Sequence, residues 1–192
     1  METRQLADIA AIITGSSPRK GELGKAVPFI QIKDLDPAKR ALVAGERPST
    51  KRATPANHDD VLLAARGGQA VVTGTGLGAG LEGGYPTLDV YLIRPDTQRI
   101  DPAYLAAWLT FEPVRLQLQA STTGALIPRI PIGSLKSLRV PLPPLHRQRV
   151  VGELFRQSRR EAELIDQLAA SIHTLRERQL AVAFAPLGAL KA

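Results

Sequence analysis

The sequence predicts an α+β (mixed α/β) head over residues 1–143, then a long coiled-coil helix over 144–184 and a short tail, 185–192. Three observations lead there. Short apolar runs punctuated by Gly- and Pro-bearing turns fill the first half of the chain. A strong helix start, Asp101-Pro102, opens the second half. Residues 145–184 then contain no Pro and only one Gly, with apolar residues at heptad spacing.

The elements follow in order. A short helical turn and an apolar strand, Ala10 to Thr14, begin the chain, and Gly15-Ser-Ser-Pro18 marks a turn. Phe29-Ile-Gln-Ile32 alternates apolar and polar residues, as a half-buried strand does. Residues 36–58 are polar and basic and predict an exposed loop with short strands. Val61-Leu-Leu-Ala64 predicts a buried strand. Gly67 to Gly84 is glycine-rich, and Leu88-Asp-Val-Tyr-Leu-Ile93 predicts another strand. At Asp101-Pro102 the carboxylate can accept free N–H groups, and Pro at the first helical position lacks a donor that would be orphaned anyway. This helix carries Tyr104, Leu105, Trp108 and Leu109 and extends through Leu116 and Leu118 to Gly124, with Pro113 able to split it.

In the long helix, Val151, Ser158, Ile165, Ile172 and Gln179 share one heptad position, and Leu154, Glu161, Leu168, Leu175 and Val182 the other. Ile165, Leu168, Ile172 and Leu175 follow the 3-4-3 spacing of a coiled-coil seam, which Ser158 and Glu161 interrupt. Forty residues at 1.5 Å each make a rod of roughly 60 Å. A lone amphipathic helix of that length needs a partner helix; the alternative is that it folds back as an ordinary core helix. The expected dimer face is Val151, Leu154, Ile165, Leu168, Ile172 and Leu175.

Composition narrows the function. The 192 residues include no Cys, which excludes disulfides and Cys-based zinc or iron–sulfur sites and suits a reducing, cytoplasmic setting. No apolar run of about 18 residues predicts a membrane span. The N-terminus, METRQLADIA, lacks the basic-then-apolar shape of a signal peptide. A net charge of +7 favours polyanionic partners, nucleic acid foremost, although a basic surface alone does not establish one.

No catalytic constellation is expected. Gly78-Ala-Gly80-Leu-Glu-Gly83 matches the dinucleotide spacing formally, but Tyr85-Pro-Thr and a strand follow where phosphate binding needs a helix N-terminus. This segment reads better as a surface loop able to approach DNA closely, or as a hairpin with bulges. His58, His146 and His173 show no metal-ligand spacing, so no metal and no cofactor are expected. Asp59-Asp60 suits a capped turn better than acid–base work. Neither a nucleophile elbow, a phosphate-binding Lys motif, nor an Asn-Pro-Pro-Tyr methyltransferase motif is present.

Basic residues cluster instead: Arg19, Lys20 and Lys25; Lys33, Lys39 and Arg40; Arg47, Lys51 and Arg52; Arg66; Arg129, Lys136 and Arg139. Lys and Arg bind phosphates, and Arg can also read guanine bidentately. The residues expected to touch DNA are Lys33, Lys51, Arg52, Arg66, Gln69 and Arg129; Gln31 and Gln69 could pair with adenine.

The joint between head and rod, Ser121 to Arg149, reads STTGALIPRIPIGSLKSLRVPLPPLHRQR. It holds a small-polar turn, a spaced apolar run, a proline-stiffened strand from Leu138 to Leu145, and a helix start. It resembles the type I restriction–modification specificity subunits, whose target recognition domains end in a "GT…IP.I....L..L.VPLPPL.EQ" pattern before a spacer helix. Gly124, Ile127, Pro128, Ile130, Leu135, Leu138, Val140 through Leu145 and Gln148 fit; Ala125 and Arg147 depart from it. Weaker likeness upstream, at Leu6–Gly15, Val27–Leu35 and Asp60–Leu63, extends the resemblance over nearly the whole chain.

The resemblance implies a non-catalytic subunit that carries a DNA methyltransferase (modification) subunit, and in some systems a restriction subunit, to a bipartite site on double-stranded DNA. Full-length members carry two recognition domains and two spacer helices. One of each is present here, as in a half-subunit that pairs with itself as an antiparallel homodimer on a palindromic site. Two other classes stay open: a coiled-coil adaptor whose basic head reads no sequence, and an enzyme using the glycine-rich loop for a nucleotide or S-adenosylmethionine. No membrane partner is expected.

Overall fold

The computed structural model describes residues 2–17, 26–48, 54–66, 70–74, 78–122 and 128–185. The chain divides into two units, Met1–Arg156 and Gln157–Ala192. The first is an α+β head. Its centre is an antiparallel four-stranded sheet of β2 (Ala10–Thr14), β8 (Val90–Pro95), β5 (Val61–Ala64) and β6 (Ala70–Val72), in the order β2-β8-β5-β6.

Both faces of this sheet are buried along β5, β6 and most of β8, which explains their unbroken apolar runs. Val61, Leu63, Ala70, Val72, Tyr91 and Ile93 face one core; Leu62, Ala64, Val71, Val90 and Leu92 face the other. The period-2 alternation of a strand thus places every residue of β5 inside. The first core is closed by α1 (Pro102–Thr110), α2 (Glu112–Ala120) and α3 (Ile132–Lys136), through Leu105, Leu109, Val114, Leu118 and Leu135. The second is closed by Ile30, Leu35, Ala56 and Leu81. A three-stranded sheet, β4-β3-β7, flanks it: β3 (Ala26–Ile30) runs antiparallel to β4 (Val43–Glu46) and parallel to β7 (Tyr85–Pro86).

The Asp101-Pro102 start is as expected. The Asp101 carboxylate accepts the Tyr104 N–H at 2.9 Å, and Pro102 occupies the first turn. The helix is then split: α1 ends at Thr110, Phe111 is extended at ψ 129°, and Pro113 sits in the first turn of α2. A continuous helix would leave the carbonyl of Leu109 without the N–H that Pro113 lacks.

Two features depart from the expected order. β1 (Glu2–Gln5) precedes the first turn and pairs antiparallel with β9 (Arg139–Leu142), tying the two ends of the head together. The five-residue α3 follows the joint's polar turn, where only a spaced apolar run was expected. The glycine-rich stretch follows the expected loop between strands: it carries β6, a Thr73–Gly78 bridge, and turns with Gly80 and Gly83 at φ 81° and 75°, and leads into β7 rather than a helix.

The last element, α4, runs without a break from Leu145 to Phe184, as the proline-free run predicts. Its first turns belong to the head. Gln148 and Gly152 are buried there, and Phe155 packs on the first core. Gly152 is required by close approach, since a Cβ would stand 2.6 Å from Asp101 Oδ1 and 3.1 Å from Ala103 Cβ. In the second unit, α4 keeps Leu164, Ile165, Leu168, Ile172 and Leu175 exposed within the single chain. No helix among the described residues is long and apolar enough to cross a membrane.

Candidate nucleic-acid interface

The turn Thr87–Asp89, which leads into β8, gathers the basic residues. On one side a 3-10 turn, Ile32–Leu35, carries Lys33. Its geometry comes from Asp34, a fully buried carboxylate that accepts the backbone N–H of Gln31 at 2.8 Å and of Ala41 at 2.7 Å. With Asp34 held inward, the preceding residue, Lys33, is exposed. Ser17, Gln31, Ile32, Lys33, Thr87, Leu88 and Asp89 line an open cleft of about 390 Å³.

On the other side Arg66 follows the end of β5. Its Nη2 donates to Asp89 Oδ1 at 3.0 Å. Ala65, fully buried, anchors the spot by donating its N–H to the Asp89 carbonyl at 2.8 Å and accepting the Ile130 N–H at 2.9 Å. That second bond brings in Arg129. Its guanidinium lies 5.3 Å from the Tyr91 ring centroid and donates to the Leu88 carbonyl. Tyr91 is itself fixed, its hydroxyl donating to the Ile130 carbonyl at 2.6 Å.

Lys33, Arg66 and Arg129 therefore converge on one turn although they come from distant parts of the chain. Leu88 stands among them, 46% exposed, with Asp89 the acidic member of the group. An exposed cationic rim on a rigid sheet end can bind phosphate and present donors to base edges. Asp89, Leu88 and Tyr91 carry no sequence signal for this site: the Arg66–Asp89 pair spans 23 residues and follows from the β5–β8 register alone.

The other expected contacts, Lys51, Arg52 and Gln69, lie outside the described residues. Several remaining basic residues serve the fold. Arg94 holds the buried Asp60 through Nε at 2.9 Å and Nη2 at 2.7 Å, and this hydrogen bonding to Asp60 raises its pKa. Asp60 also accepts the Asn57 N–H at 2.7 Å, the turn-capping role expected of the Asp pair. Arg40 donates to the carbonyls of Asp34 and Ala79, and Arg47 to the Tyr85 hydroxyl at 3.1 Å. His58, exposed, meets Glu82 at 2.5 Å. No cluster of metal-ligating side chains occurs among the described residues. The expected dimer-face residues Val151, Leu154, Ile165, Leu168, Ile172 and Leu175 all lie on α4 and are 40–65% exposed.

The head thus holds three sheets, β2-β8-β5-β6, β4-β3-β7 and β1-β9, with helices on one core, and the long amphipathic α4 follows it in the chain. The chain is similar to the HsdS subunit from Thermoanaerobacter tengcongensis, with TM-score 0.59 and 19% identity over 87% of this chain and 39% of that one. It is similar to a chain from a study of complex assembly and conformational transition of the type I R-M system, at TM-score 0.62 and 22% identity over 93% of this chain and 43% of that one. The type I restriction-modification S subunit from M. genitalium matches at TM-score 0.58 and 12% identity, over 98% of this chain and 46% of that one. The resemblance read at the joint thus holds for the fold, and the chain spans less than half the length of these solved chains. No protein-family model and no curated protein sequence matches it.

Proposed function

We propose that this chain is a non-catalytic, sequence-specific DNA-binding specificity subunit. It carries a DNA methyltransferase subunit, together with a restriction subunit in a system that cuts, to a bipartite site. In this reading residues 1–143 are the target recognition domain and 144–184 the spacer and dimerisation helix. Two copies pair antiparallel through Val151, Leu154, Ile165, Leu168, Ile172 and Leu175. Two-fold symmetry then makes the target palindromic, with rod length setting the spacing between half-sites.

The observation that carries this reading is the convergence of Lys33, Arg66 and Arg129 on one turn of a head that has the specificity-subunit fold. Phosphate contacts from Lys and Arg supply affinity, and a few side chains at base edges supply discrimination. Tagging the chain in its native host and identifying co-purifying proteins by mass spectrometry tests it. Recovery of a DNA adenine methyltransferase is the expected result. If none is recovered at low salt, and bound DNA is displaced equally by unrelated DNA, the chain is a coiled-coil adaptor without sequence readout.

A further inference from the structure

We infer that Arg66 is a guanine-reading residue of the head and that Asp89 is its positioning residue; this rests on the DNA-specificity reading and names the base edge its site takes. The puzzle at the Thr87–Asp89 turn is the carboxylate. An acid on a surface that receives DNA repels phosphate and weakens binding. Nor does folding stability account for it, because an exposed ion pair such as Arg66–Asp89, with side chains 43% and 37% exposed, contributes little.

What Asp89 does supply is orientation. It engages one Arg66 nitrogen at 3.0 Å, and of five guanidinium N–H donors this leaves four directed elsewhere. Holding the planar fork before DNA arrives lowers the side-chain ordering lost on binding. The mount is rigid on both sides. Ala64 and Val90 are paired in the β5–β8 register and are at most 1% exposed, and Ala65 hydrogen-bonds the Asp89 carbonyl. Base reading needs this: two parallel donors placed against O6 and N7 of guanine in the major groove.

The neighbouring cations have other roles. Arg129 engages the Leu88 carbonyl and the Tyr91 ring, so it adds positive charge for phosphate beside the turn rather than an unengaged fork. Lys33 is a point charge with rotatable donors, suited to phosphate rather than to a two-point contact. Arg66 alone in this group combines a planar fork, solvent exposure and a carboxylate brace.

Selection from random-sequence duplexes tests the assignment, using the full chain in the complex in which it is recovered. Wild type, Arg66→Lys and Asp89→Asn are compared base pair by base pair. Wild type should require guanine at one position of each half-site. Arg66→Lys keeps the charge and should hold overall affinity within a few-fold, while discrimination at that one position drops about 5- to 150-fold. Asp89→Asn removes a repulsive charge, so it should bind unrelated DNA more tightly yet lose preference at the same position. A merely structural role for Asp89 would not produce these opposed changes. Preference retained by both variants, or lost evenly at all positions, overturns the assignment alone. A wild type that enriches no sequence overturns it together with the specificity reading.

Discussion

The side chain of Gln148 reaches back 47 residues to accept the backbone N–H of Asp101 at 2.9 Å, while its amide donates to the carbonyls of Arg99 at 3.1 Å and Pro143 at 2.8 Å. One glutamine therefore ties the start of α4, the proline-rich joint and the N-terminus of α1. Asp101 in turn caps α1, so the bond to its N–H steadies the residue that supplies the cap. Gly152, one turn along α4, lets the two helices come this close.

Gln148 is 1% exposed, so its removal strands three polar backbone groups where water reaches poorly. Gln148→Ala should cost about 2–3 kcal/mol of head stability, from the loss of these bonds and the unmet groups left behind. Chemical denaturation followed by circular dichroism checks this. A loss under about 0.5 kcal/mol would mean that the three bonds do not hold the joint.

Tyr104 sits at the same corner, buried on α1, with its hydroxyl donating to the Pro141 carbonyl at 2.8 Å. Burial pushes its phenol above the ordinary value of 10.0. An acid raised in the folded state contributes stability that is whole below the unfolded pKa. That stability is lost as pH rises through the folded pKa. Stability should therefore fall above about pH 10, where unfolded tyrosine ionises. Tyr104→Phe should flatten that part of the curve. Phenolate absorbance during alkaline titration checks the order of ionisation: a Tyr104 signal appearing with that of free tyrosine would refute the burial argument.

How legible this molecule is in its sequence depends on how local each cause is. Val61–Ala64 is readable because two buried faces leave no room for polar residues. Asp101-Pro102 is readable because a cap acts within one turn, and α4 because heptad spacing repeats along its own length. β1 is not: Glu2-Thr-Arg-Gln5 is wholly polar and exposed, and it becomes a strand only by pairing with residues such as Arg139, 136 positions from Thr3. α3 is too short to nucleate alone and buries Leu135 against a core built elsewhere. At the candidate interface, charge and residue type single out Lys33, Arg66 and Arg129. Their meeting around Thr87–Asp89 follows from strand register, which composition does not carry.

Lys33 gives the affinity side of the proposal its own test. It is exposed on a turn that the buried Asp34 holds from within, so its replacement leaves that scaffold intact. A phosphate-binding lysine weakens binding to every sequence alike and lowers the salt slope by about one unit. Lys33→Ala should do both, measured as affinity for target and unrelated duplexes across a salt series. A change confined to one base position would instead make Lys33 a base contact.

The seam of α4 gives the assembly its test. Leu164, Ile165, Leu168, Ile172 and Leu175 are 40–65% exposed in one chain, a stripe that water does not favour leaving bare over this length. Pairing of two copies would cover it, and a carboxylate placed there would have to be desolvated without a partner. Ile165→Asp or Leu168→Asp should therefore reduce the light-scattering mass from two chains to one at micromolar concentration. Neither residue belongs to the head's cores, so the head should keep its denaturation midpoint. DNA binding should weaken as well, since two half-sites would no longer be held by one particle. A wild-type mass of one chain, or a variant that stays paired and binds DNA unchanged, would remove α4 as the dimer device.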